Sequence, residues 1–110
     1  MDYMKELNVA ITVCDREGKI LLMNDKSQKT NGGDLRGNNV YDCHPEPART
    51  KLARLMTNRE TNAYTIEKNG VKKLIYQTPW YENGEFSGIV EFSLEIPFDM
   101  PHYIRKPKMV

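Results

Sequence analysis

The side chains best suited to chemistry meet in Asp42-Cys43-His44-Pro45-Glu46-Pro47, where one of the two cysteines and one of the two histidines stand side by side. Such a pair could serve redox sensing, since a helix N-terminus lowers a thiol pKa. It could also ligate a metal, or give an axial imidazole to haem. A metal site needs ligands that converge, and Cys14, Cys43, His44 and His102 are the whole Cys/His supply. No Cys-x-x-Cys or His-x-x-x-His pair exists, so no structural metal site is expected. On the bland reading Cys43 is a small buried apolar side chain and His44 a capping or surface residue. Nucleophilic catalysis finds no motif either. With 28% charged residues, carboxylates fall near any cysteine by chance. Gly32-Gly33 lacks the Gly-Lys-Ser/Thr ending of a phosphate loop. No enzyme activity is expected.

These residues lie between two groups of predicted strands. Asn8–Cys14 and Lys19–Met23 flank Asp15-Arg16-Glu17-Gly18, a hairpin with glycine where the turn needs it. Asn62–Glu67, Lys72–Tyr81 and Phe86–Ile96 close the chain, the last two joined through Asn83-Gly84, the pair suited to positive φ at both central turn positions. In the last strand Phe86, Gly88, Val90, Phe92, Leu94 and Ile96 alternate with Ser87, Glu91, Ser93 and Glu95. That alternation predicts one face covered by core and one left wet or facing a partner. Pro79 donates no hydrogen bond and is expected at a bulge or strand end. Lys72-Lys73 suits a solvated edge. Residues 25–44 are polar and glycine-bearing, which suits short helical turns and loops. From Pro47 to Met56, Ala48, Leu52, Leu55 and Met56 recur at helical spacing. Pro45 and Pro47 suit that helix's first turn, with Asp42 or His44 near its cap.

The order β-β, short helices, α, β-β-β implies an α+β domain: an antiparallel sheet with helices covering one face. At 110 residues it is one domain, read as a lead-in at 1–7, a core at 8–97 and an extended tail at 98–110. Sixteen basic and 15 acidic residues leave a net charge of +1, with no bias toward nucleic acid or an anionic membrane. No apolar run approaches the roughly 20 residues that span a bilayer, and the N-terminus has no signal-like apolar region, so a cytoplasmic protein with reduced thiols is expected. No kinase helix pair or DNA-binding motif follows the domain; the chain is either a fragment of a larger receptor or acts by binding another protein.

Val13-Cys14-Asp15-Arg16-Glu17-Gly18-Lys19-Ile20 followed by Met23-Asn24, then Gly37 ahead of His44-Pro45-Glu46, then the strand from Gly84 to Phe92, together resemble a PAS domain over residues 5–97. The Cys-His-Pro triplet is similar to one group of small prokaryotic PAS modules. The resemblance implies a five-stranded antiparallel sheet whose inner face and long helix enclose a ligand space or a packed core. Its haem-binding members carry the proximal histidine where this chain has Leu52. Its light-sensing members place Cys in a run unlike Asn39–Pro45, and the cysteine-linked chromophore branch would want a tyrosine near Met23-Asn24. No cofactor is specified. The expected lining is Leu52, Leu55 and Met56 from the helix, with Tyr64, Ile66, Leu74, Tyr76, Val90 and Phe92 from the strands. The Tyr64 and Tyr76 hydroxyls would be its polar anchors. The leading expectation is a cytoplasmic sensor that binds a small molecule and signals through protein contacts. Its alternatives are a ligand-free homodimerisation module, using an outer face with Ile75 and Ile89 and the tail residues Phe98, Met100, Tyr103 and Ile104, and a redox or metal sensor built on Cys43 and His44.

Overall fold

The computed structural model describes residues 1–108; Met109 and Val110, at the end of the expected tail, lie outside them. Strands β1 (Ala10–Asp15) and β2 (Ile20–Met23) form the first hairpin, followed by the short helix α1 (Asp25–Thr30). Helix α2 (Ala48–Asn58) precedes β3 (Asn62–Lys68), β4 (Val71–Glu82) and β5 (Glu85–Ile96). The five strands form one antiparallel sheet in the order β2-β1-β5-β4-β3. The first and last strands thus meet at the sheet centre, where β1 and β5 pair from Ala10↔Ser93 to Asp15↔Gly88.

Local chemistry accounts for the junctions. Asp15 Oδ1 accepts from the Glu17 and Lys19 amides at 3.0 and 2.9 Å and closes the first turn. Asn83 and Gly84 adopt φ of 52° and 81°, the mirror-image turn whose twist suits a hairpin. Asn24 caps α1 by accepting from the Ser27 amide at 3.1 Å. At α2 the expected cap is corrected. Glu46, not Asp42 or His44, accepts from the Thr50 amide at 2.8 Å and meets the Thr50 hydroxyl. Asp42 instead pairs with Arg49 at 3.4 Å, and His44 Nδ1–H donates to the Val40 carbonyl at 2.7 Å. Pro47 stands at the cap position just before the first helical residue.

Both helices lie over one sheet face, which the core defines: Cys14, Ile20, Met23, Val40, Leu52, Met56 and Ile89 form one buried cluster, with Leu35, Tyr41 and Phe86 against it. The cross-strand pairs Cys14↔Ile89, Thr12↔Glu91 and Gln77↔Glu91 place these residues on that inner face. Alternation then puts Leu74, Tyr76, Val90 and Phe92 on the outer face, against the sequence expectation, and brings Ile75 and Ile89 inward, where they are 7% and 3% exposed. For β5 the physical reason is a bulge, and Leu74 and Tyr76 of β4 share the outer face as the cross-strand neighbours of Leu94 and Phe92. Trp80 pairs with Gly88 but Tyr81 pairs with Phe86, so Ser87 is an extra residue in β5. Phe86 does reach the core, and past the bulge the alternation has shifted by one, which exchanges the two faces. Pro79 sits one residue from this irregularity, as its missing donor suggested.

Candidate functional site

The inner face does not close completely against the helices. A cavity of about 70 Å³ has Cys14, Ile20, Met23 and Ile89 as its apolar floor, with Leu35, Val40 and Leu52 opposite. Its polar groups come from separate elements: Thr12 from β1, Asn31 from the end of α1, Cys43 and His44 from the loop before α2, Gln77 from β4 and Glu91 from β5. His44, Leu52 and Gln77 also border a wider depression of about 520 Å³ that runs past Pro47, Ala48 and Lys51 to Asn62 and Tyr64. The inner cavity and this depression share His44, Leu52 and Gln77 as a common wall.

A relay of side-chain amides crosses the wall. Asn62 Nδ2 donates to Gln77 Oε1 at 3.0 Å, and Gln77 Nε2 donates to Glu91 Oε1 at 2.8 Å. The cross-strand neighbours Asn62↔Gln77↔Glu91 on three successive strands make this possible. At the other end Thr12 Oγ1 and Ser27 Oγ share a hydrogen bond, and Asn31 Nδ2 donates to the Ser27 carbonyl at 2.9 Å. Burial pushes the Cys14 thiol up, reinforced by the charges of Asp15 and Glu91 against a hydrogen bond from the Ile89 backbone. Burial, then the Glu91 charge, pushes up the Tyr64 hydroxyl. Cys14 is thus held as a neutral thiol and is no nucleophile at neutral pH.

On the far side of Cys14 the single tryptophan ties the cavity floor to the outer face. Trp80 Nε1 donates to the Cys14 carbonyl at 2.9 Å although β5 lies between their strands. At Gly88, the cross-strand neighbour of Trp80, φ is 147° and an added Cβ would collide with the Cys14 carbonyl oxygen.

Of the expected lining, Leu52 borders the cavity, Leu55 and Met56 are buried beneath α2, and Tyr64 borders the outer depression. Ile66 lies on the inner face near the uncovered β3 edge and is 36% exposed. Leu74, Tyr76, Val90 and Phe92 are behind the sheet. Cys43 is exposed rather than buried, and Cys14 is the buried thiol; both are free. Cys43 and His44 border the cavity together, but no cluster of three His, Cys, Asp or Glu able to hold a metal ion occurs among the described residues. Residues missed from sequence, above all Gln77 and Glu91, were legible only through strand pairing. A polar residue in a strand reads as solvent-facing until its cross-strand neighbours are known.

The sheet order, the helices on one face and the cavity between them define a class, the PAS fold. The solved structures agree. The PAS domain of BvgS from Bordetella pertussis superimposes with a TM-score of 0.67 at 22% identity, covering 87% of this chain and 82% of that one. A PAS domain from Colwellia psychrerythraea gives 0.62 at 21% identity over 84% and 90% of the two chains. A sensory box sensor histidine kinase from Vibrio cholerae gives 0.67 at 13% identity over 86% of each. No family model and no curated protein matches the chain. The fold is therefore PAS-like, and no helix among the described residues is long and apolar enough to cross a membrane.

Proposed function

We propose that this chain is a non-catalytic sensor module, working in the cytoplasm, that takes a small molecule into the cavity between sheet and α2 and passes its state to a protein partner. The observation that carries the reading is the convergence of polar groups from five separate parts of the chain on one largely apolar cavity, beside a wider surface depression that shares its wall. A few polar groups in an otherwise apolar concavity are what orients a small ligand. The similarity to the PAS domain of BvgS and to a sensory box sensor histidine kinase supports the signalling half of the reading. The test is native mass spectrometry of freshly purified protein beside a Leu52→Trp variant whose indole fills the cavity, with circular dichroism to confirm its fold. A small-molecule adduct present in the wild type and absent from the variant supports the proposal. Bare protein in both, with a thermal midpoint that no small molecule raises, overturns it.

A second reading rests on the outer face. Leu74, Val90 and Phe92, all half-buried, and Tyr76, which is 40% exposed, form an apolar strip on that face. Such a strip suits a homodimer or another signalling protein. The tail residues Phe98, Met100, Tyr103 and Ile104 are all more than half exposed and add apolar surface for the same purpose.

A further inference from the structure

The cavity's polar groups have an unequal donor and acceptor account. Each wall donor has one bond within the protein: Asn62 Nδ2 to Gln77, Gln77 Nε2 to Glu91, Asn31 Nδ2 to Ser27 and His44 Nδ1–H to Val40, which leaves a second N–H on the Asn62 and Gln77 amides. With its proton on Nδ1, a neutral His44 presents Nε2 as an acceptor. Asn31 keeps its Oδ1 and Glu91 its Oε2, neither with a protein partner within hydrogen-bond distance among the described residues. Glu91 also carries a formal charge. The ion pairs of the described residues are Lys5–Asp25, Arg36–Asp34 and Arg49–Asp42, so no basic group lies within 4.0 Å of its carboxylate. Lys68 and Lys73 border a neighbouring depression that Glu91 also touches, but neither reaches it. Glu91 is half-buried, and its charge is felt at Cys14 and Tyr64 on either side.

Resting on the proposal that this cavity takes a ligand, we infer that the ligand is a small organic cation, a protonated amine or guanidinium-type group, paired with Glu91. Its N–H groups satisfy Glu91 Oε2, Asn31 Oδ1 and His44 Nε2, and its short apolar part lies against Ile89 and Leu52. The cavity's 70 Å³ is about two waters' share of liquid volume at about 30 Å³ each, room for an ion of only a few heavy atoms such as methylguanidinium. A larger amine would extend into the outer depression toward Tyr64.

The test is a matched series of small probes: methylguanidinium and propylammonium as cations, methylurea and propanol as neutral analogues, propionate as an anion. Binding is read by titration calorimetry and by fluorescence of Trp80, whose indole is bonded to the cavity-floor residue Cys14. The expected result is binding of the cations alone, weakened at least tenfold in Glu91→Gln and unchanged in Glu95→Gln, an exposed residue four positions along the same strand. The amide oxygen introduced by Glu91→Gln can still accept from Gln77, so the variant preserves the wall, and the methylguanidinium–methylurea comparison needs no variant. Equal or tighter binding of the neutral or anionic probes overturns the charge assignment while leaving a ligand site standing, as does cation binding indifferent to Glu91→Gln. If no probe of any charge binds and no adduct appears by native mass spectrometry, the ligand-binding reading falls with it.

Discussion

Asn24 shows how much structure one side chain can organise. It is 4% exposed; its Oδ1 accepts from the Ile11 and Ser27 amides, and its Nδ2 donates to the Met4 and Val9 carbonyls at 2.9 and 2.7 Å. It therefore ties the lead-in, β1 and the start of α1 together. Asn24→Ala removes all four bonds and leaves buried backbone groups without partners, so urea denaturation should show a loss of about 3 kcal/mol with an unchanged slope. An exposed residue gives the contrasting case. Hydrogen bonds from Arg36 hold the Asp34 carboxyl down at about 2, against an ordinary 3.8. A lowered carboxyl stabilises the fold above its unfolded pKa and ceases to as pH falls through the folded one. Any advantage of the wild type over Asp34→Asn in thermal midpoint should thus be present at neutral pH and disappear between about pH 4 and 2.

The strands and helices depend on single positions in different ways. At Gly88 a methyl group would collide with the Cys14 carbonyl, so Gly88→Ala must break the central β1–β5 pairing, lose the Trp80 hydrogen bond, or both. Its cost should be on the order of 4 kcal/mol or more, with a shifted Trp80 emission. Gly84→Ala in the last hairpin meets open space and suffers only the positive φ, about 1 kcal/mol, with emission unchanged. Helix α2 is anchored by Leu55, which is 1% exposed. Leu55→Ala should cost about 3 kcal/mol in denaturant titration, the range for a large core side chain that leaves a cavity.

One sheet separates two faces of the molecule. Inside lies the cavity with its carboxylate; outside lies the apolar strip of Leu74, Tyr76, Val90 and Phe92, with Trp80 hydrogen-bonded across the sheet to the cavity floor. If the strip joins two copies, sedimentation of the wild type should show a concentration-dependent dimer, and Phe92→Lys should raise its dissociation constant at least tenfold while far-ultraviolet dichroism is unchanged. A monomer at all concentrations assigns the strip to a different partner.

The order of the elements, the turns at Gly18 and Asn83-Gly84, the stripe of α2 and the α+β class were legible in the amino-acid sequence, because each rests on neighbours within a few residues, as Leu52, Leu55 and Met56 do in α2. Which sheet face turns inward follows instead from packing between distant strands. That depends on one extra residue at Ser87, which has no periodic signature, and it moved Val90 and Phe92 outward while bringing Ile89 and Glu91 to the cavity. The same is true of the cysteines. Cys43 beside His44 had the chemistry, yet the loop leaves it exposed, and Cys14 became the buried thiol because β1 lies inside the sheet with Ile20 and Ile89 as its cross-strand neighbours.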